Sequence, residues 1–176
     1  MKNAEMKCYS DQGLVLHLPD DPNNPDHIKQ TSVANALTST PEVVCKNRAA
    51  YDAAIHCSLA LSQSCTPKAY QSLLPDENNL KMVQNIMCNN LNSLNHMCTV
   101  NNTHDLVDCG IKKYGTMTVA DAMDPYKSTC TAYQHAEECL EEEIQECGQA
   151  NLDLQKQFNQ LSAPVACQGA GTAIGK

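Results

Sequence analysis

Eleven cysteines in 176 residues constrain this chain more than any other feature. They stand at Cys8, Cys45, Cys57, Cys65, Cys88, Cys98, Cys109, Cys130, Cys139, Cys147 and Cys167. No two form a Cys-x-x-Cys, so the usual zinc and thiol-oxidoreductase spacings are absent. Thiols at this density fit an oxidising compartment, where they pair as disulfides, rather than a reducing cytosol. The number is odd, so five intrachain bridges leave one sulfur over.

The aliphatic core is thin. Leu, Ile, Val and Phe together fall below about a fifth of the residues, a level that often accompanies disorder, and the chain has no Trp and one Phe. Apolar residues nevertheless recur periodically, and the net charge of −8 is modest for this length. A thin core with many cysteines reads as an all-α, disulfide-stapled bundle of five to six helices, stabilised by roughly 2–4 kcal/mol per bridge. The expected localisation is secreted and extracellular, although the polar start MKNAEMKCYSDQ is no signal peptide. No apolar run approaches the ~20 residues of a membrane span. A single Arg48 and an acidic balance argue against nucleic acid.

Three zones emerge along the chain. Residues 1–26 read as an irregular N-terminal segment, with Gly13 to Pro19 as a short strand and Asp20 to Asp26 as a turn-rich linker. Residues 27–168 form the disulfide-rich helical domain, and 169–176 a Gly/Ala-rich flexible tail. Within the domain a short helix covers His27 to Thr38. Thr40-Pro41-Glu42 then starts a helix running to about Ser64. Leu80, Val83, Met87, Leu91, Leu94 and Cys98 step as one stripe, which predicts a continuous helix from Asp76 to Cys98. A helix over Thr103–Lys113, one capped by Thr118 and restarted at Pro125, and a last one closed by Pro164 complete the domain. The spacing Cys57-x7-Cys65-x22-Cys88 faintly echoes Cys139-x7-Cys147-x19-Cys167, but the flanking residues do not match.

Helix geometry suggests a connectivity. If helices 41–64 and 76–98 form an antiparallel hairpin, Cys45 with Cys98 and Cys57 with Cys88 share a midpoint near residue 72, inside the connection. Two rungs with one centre suit a stapled hairpin, since bridged Cα atoms lie within ~7 Å. Cys109 with Cys130 is a third candidate pair. Cys139 with Cys147 is excluded, because eight helical residues separate them by about 12 Å. Cys8, in a polar segment outside every expected helix, is the first candidate for the odd or interchain cysteine, and Cys167 beside the tail is the second. Either would join two copies as a covalent homodimer.

Few residues suggest chemistry. His104-Asp105 lacks the flanking cysteines and glycine-rich calcium loop of secreted phospholipases A2, so it reads as a capped first helical turn. No catalytic residue is assigned, no cofactor is expected, and no set of His and Cys completes a metal site. Asn101 heads the sequon Asn101-Asn102-Thr103, a glycosylation candidate. Glu137, Glu138, Glu141, Glu142, Glu143 and Glu146 form an acidic patch expected opposite Leu140 and Ile144. The expected function is a secreted non-enzymatic interaction protein, toxin-like, pheromone-like or receptor-binding, with a protein partner or receptor. The first alternative is an extracellular carrier of a small apolar ligand or lipid, which the methionines Met82, Met87, Met97, Met117 and Met123 favour. The second is a disulfide-linked structural or matrix component.

Overall fold

The computed structural model describes residues 2–168, so the expected tail at 169–176 lies outside the described residues. The protein is 78% helical, with ten helices and no strand among the described residues. They are α1 (Lys2–Ser10), α2 (Pro25–Thr38), α3 (Pro41–Lys46), α4 (Arg48–Cys65) and α5 (Glu77–Asn89), followed by α6 (His96–Asn101), α7 (Thr103–Tyr114), α8 (Val119–Met123), α9 (Pro125–Glu143) and α10 (Gln149–Ser162). Short 3-10 turns cover Lys68–Leu73, Leu91–Ser93, Gln145–Cys147 and Val165–Cys167.

Local chemistry explains where most helices begin. Asn24-Pro25, Thr40-Pro41 and Asp124-Pro125 each place a capping side chain before a first-turn proline, whose missing N–H would have had no helical partner anyway. Asp76 accepts from the backbone N–H groups of Asn78 and Asn79 to open α5, and Thr118 accepts from Asp121 to open α8. Gly148 joins the Gln145–Cys147 turn to α10 at φ 99° and ψ 143°, a conformation that essentially only glycine adopts.

Asparagines break what the apolar stripes alone would have run together. The expected 41–64 helix is divided at Asn47, whose side chain donates to the Val43 carbonyl at 2.9 Å. The expected 76–98 helix stops at Asn89, where the Asn90 side chain donates to the Ile86 carbonyl at 2.7 Å. Asn95 then caps α6 by accepting from the Cys98 N–H. Asparagine side chains compete with the helical ladder in this way.

Two expectations for the N-terminal segment are corrected. Residues 2–10 form α1, which packs on α4, so the segment is not irregular throughout. The residues expected as a strand form none. Instead the Asn35 side chain of α2 stands in for a neighbouring strand: the His17 N–H donates to Asn35 Oδ1, and Asn35 Nδ2 donates to the His17 carbonyl, both at 2.8 Å.

Packing runs through a few pairs: α1 on α4, α2 on α7, α7 on α9, α9 on α10, and α5 on α10. Buried apolar residues are sparse. Val44, Tyr51 and Ala54 fill the first half, and Ile144, Cys147 and Leu152 form the cluster of the second, with Cys98, Leu106 and Leu140 against it. Asn151, 1% exposed, ties the halves of this cluster by accepting from the Asn95 N–H at 2.9 Å and donating to Thr99 Oγ1 at 3.3 Å. Such a core needs its covalent links.

Those links differ from the expected rungs. The five bridges are Cys8–Cys57, Cys45–Cys88, Cys98–Cys147, Cys109–Cys139 and Cys130–Cys167, with Cα–Cα distances of 5.1–5.8 Å. Cys45 pairs with Cys88 rather than Cys98, because α4 ends at Cys65 and the hairpin turns at Thr66–Pro67, the midpoint of the observed pair. Cys98 has left the hairpin altogether, since the chain breaks at Asn90 and carries it into α6. Cys57 is taken by Cys8, which α1 presents to α4, so Cys57–Cys88 does not form. Cys109 pairs with Cys139 rather than Cys130, because α8 occupies the connection and α9 starts only at Pro125. Neither Cys8 nor Cys167 is odd. Cys65 alone is unpaired among the described residues, and it is exposed.

Two outcomes check this framework. Replacing both Cys45 and Cys88 by alanine opens a bridge that spans 43 positions, and should lower unfolding stability by about 3–4 kcal/mol in urea titrations. Gly148→Ala forces a side chain into the glycine-only conformation and should cost on the order of 1–3 kcal/mol, although open space surrounds the added Cβ.

Candidate functional site: an apolar cleft between α7, α9 and α10

The helices α7, α9 and α10 meet around a cleft of about 570 Å³. Its walls come from helical spacing on each element. Leu106, Gly110 and Tyr114 follow one another at four-residue steps on α7, and Ala132, His135, Ala136, Cys139 and Leu140 line it from α9. Phe158, the only phenylalanine, faces it from α10 with Gln155 and Ser162. The Cys109–Cys139 bridge closes one side and fixes the distance between α7 and α9. Gly110 opens the wall: a Cβ built there meets nothing within 4 Å.

One polar group in this apolar lining lacks a partner. His135 Nδ1 is shielded from solvent and makes no hydrogen bond. A ring nitrogen left this way forfeits the hydrogen bond it had in water, at a cost of roughly 1–3 kcal/mol. The cleft lies within the size range of small-molecule sites, which pair apolar walls with a few polar groups.

A second cavity of about 460 Å³ lies on the far side of α9, beside the Cys130–Cys167 bridge. Its lining is more mixed, with Gln134, Glu137, Gln157 and Gln160 beside Tyr133 and Leu161. Burial holds the Tyr133 phenol above its ordinary pKa.

Four of the six clustered glutamates are engaged in ion pairs with neighbouring helices. Glu138 and Glu142 lean toward α7 and pair with Lys113 Nζ at 2.7 and 2.8 Å. Glu137 and Glu141 lean toward α10 and both pair with Lys156. Each lysine is held above its ordinary pKa, first by its hydrogen bond to a glutamate, Glu138 for Lys113 and Glu141 for Lys156. Ile144, expected on the opposite face, is fully buried, and the helix ends at Glu143. Two lysines thus divide the run into inter-helix ion pairs, with Glu143 and Glu146 outside them.

Cys109, Glu142 and Glu143 also come close enough to share an ion. Cys109 is committed to its disulfide and offers no thiolate, so the donor set suits no thiolate-preferring metal. Asn101 ends α6 with its side chain exposed, but its sequon is folded into a helix junction: Asn102 Nδ2 donates to the Cys98 carbonyl at 3.0 Å and Thr103 Oγ1 to the Thr99 carbonyl at 3.1 Å. His104 opens α7 beside Asp105, and the neighbouring Asp108 pairs with Lys29 of α2 at 2.5 Å.

The sequence reading missed the cleft residues Leu106, Gly110, His135 and Phe158. Leu106-x3-Gly110-x3-Tyr114 was the available signal, since a helix face with glycine between two large apolar residues leaves a notch. On α8, Val119 and Met123 sit one turn apart and are 77% and 78% exposed. No family model, curated protein or solved structure matches the chain.

A titration checks the ion pairs that lock the helices. In the first half Glu77 of α5 bonds Lys81 at 2.7 Å and His56 of α4 at 3.0 Å, and these two, Lys81 first, hold its carboxyl below the usual range. A depressed carboxyl adds stability that is present above its unfolded pKa and lost as pH falls through the folded one. Unfolding stability should therefore decline below about pH 4.5, the ordinary carboxylate value, and Glu77→Gln should flatten part of that decline in urea titrations from pH 7 to 3.

Proposed function

We propose that this protein is an exported, non-enzymatic binding protein whose α7–α9–α10 cleft takes a small apolar ligand carrying one hydrogen-bonding group. The unpartnered His135 Nδ1, on an α9 wall otherwise made of Ala132, Ala136, Cys139 and Leu140, carries the reading. A turn of the imidazole ring would bring this shielded nitrogen to a ligand hydroxyl, carboxyl or carbonyl and restore the missing hydrogen bond, while a chain or ring lay against Leu106, Leu140 and Phe158. Five intrachain bridges support export, because such bridges persist where thiols are not kept reduced. No helix among the described residues is long and apolar enough to cross a membrane. Stapled walls also suit binding, since less freedom is lost when the ligand arrives.

A second reading rests on α8. Val119 and Met123 form an apolar ridge one helical turn long, almost fully exposed, which favours contact with a protein partner or receptor.

The cleft reading is tested by filling it. Gly110→Leu adds a side chain where the structure has room, and it removes a glycine from a helix interior, which favours the fold by up to about 1 kcal/mol. Titrated with a fluorescent long-chain fatty acid, the wild type should bind, and the variant should bind at least about tenfold more weakly, or about 1.4 kcal/mol, with its melting temperature unchanged or raised. Equal affinity in both, or no binding to fatty acid, alcohol or sterol probes, contradicts the proposal. Val119→Ser with Met123→Ser should leave this affinity unchanged.

A further inference from the structure

The disulfide pattern occurs twice. Cys8–Cys57 joins α1 to α4, and Cys109–Cys139 joins α7 to α9. Cys45–Cys88 joins the start of the α3–α4 pair to the end of α5, and Cys130–Cys167 joins the first turns of α9 to the 3-10 turn after α10. The packing matches the bridges. In each half a first helix lies on a second, α1 on α4 or α7 on α9, and the second folds back on a third, α5 or α10.

Spacing supports the register. Seven residues separate Cys57 from Cys65, and seven separate Cys139 from Cys147. The first half is longer only where it carries extra pieces: α2 between Cys8 and Cys45, the Asn47 break between Cys45 and Cys57, and the Lys68–Leu73 turn between Cys65 and Cys88. The midpoints agree as well. Cys45–Cys88 centres on Thr66–Pro67, just after Cys65, and Cys130–Cys167 centres on Gly148–Gln149, just after Cys147.

In this register Cys65 is the counterpart of Cys147. Cys147 is 6% exposed and bridged to Cys98, which α6 brings to the turn between the second and third helices. Asn102 Nδ2 contacts both sulfurs, at 3.7 Å from Cys98 Sγ and 3.6 Å from Cys147 Sγ. Cys65 stands at the same turn of the first half, exposed, and no counterpart of Cys98 reaches it among the described residues. The position is thus a bridging position in one half and an unpaired thiol in the other.

We propose that Cys65 forms a sixth type of bridge, to Cys65 of a second copy of this chain, at the place where Cys147 takes Cys98. Ten of the eleven sulfurs are already committed within the chain, so an identical copy offers Cys65 as its own unpaired sulfur. One such thiol per chain closes a two-fold dimer and leaves no sulfur for further growth. Ser64, Pro67 and Lys68 around it are exposed too, so among the described residues no segment overlies it. The oxidant is a low-molecular-weight or enzyme-borne disulfide, as for the intrachain bridges. One Cys65 thiolate attacks that disulfide and expels a thiolate. A second Cys65 thiolate then attacks the Cys65 sulfur of the mixed disulfide and expels the other. Two thiols lose two protons and two electrons, one Cys65–Cys65 bond forms, and the oxidant leaves as two thiols.

The test uses the protein refolded in a glutathione redox buffer, compared with Cys65→Ser, by non-reducing electrophoresis, intact mass and sedimentation. The wild type should run as a covalent dimer that reductant converts to monomer. Cys65→Ser should be monomeric, with the same helical dichroism and melting temperature, and digestion of the dimer should yield a Cys65–Cys65 peptide. A wild-type monomer with one titratable thiol overturns the proposal, as does a Cys65 capped by glutathione. A covalent dimer that persists in Cys65→Ser overturns it equally. Melting separates this from misfolding, since a Cys65→Ser that loses its helical transition would show Cys65 to be structural rather than interchain, which also contradicts it.

Discussion

The distance that a disulfide permits between two helices sets the rest of this structure. With few buried aliphatics, the helices could not hold their spacing by packing alone. Cys109–Cys139 places α7 against α9, and Lys113 then reaches Glu138 and Glu142 across the same seam. Cys98–Cys147 brings α6 over Ile144 and Leu152 and lets Asn151 satisfy the Asn95 N–H. The bridges span 30 to 49 positions, so each removes on the order of 4 kcal/mol of unfolded-state freedom in the chain-entropy account. That exceeds what any one side chain in so small a core supplies by burial, about 1.5–3 kcal/mol.

The cleft is a consequence of the same geometry. Helices held apart by a cystine, with glycine at one facing position and alanines at two others, leave a gap that larger side chains would have filled. Packed interiors rarely tolerate such voids, and covalent links allow this one to persist without collapse. Function, in this reading, uses the space that stapling keeps open.

Much of the helical architecture was legible from residues alone. Thr40-Pro41, Asp76, Thr118 with Asp121, Pro125 and Pro164 mark helix ends by chemistry that acts within a few residues, and they stand where the sequence put them. The breaks at Asn47 and Asn90 were not legible from the apolar stripe, because Leu91 and Leu94 continue its period past the true end of α5. Cystine pairing was least legible. It depends on where each helix stops, and one misplaced end at Asn90 moved Cys98 from the first hairpin to the second half. The N-terminal error had the same effect, since a helix at residues 2–10 with little amphipathic signal is what carries Cys8 to Cys57. His135 carried no sequence signal at all; only its surroundings single it out.

Disulfide mapping tests the account most directly. The protein would be alkylated and digested at acidic pH, to prevent exchange, and the cystine-linked peptides identified by mass spectrometry before and after reduction. The account predicts Cys8–Cys57, Cys45–Cys88, Cys98–Cys147, Cys109–Cys139 and Cys130–Cys167 as the intrachain links. Recovery of Cys45–Cys98, Cys57–Cys88 or Cys109–Cys130 in their place would contradict it, because the hairpin turns and the twofold repetition of the bridges could not then both stand.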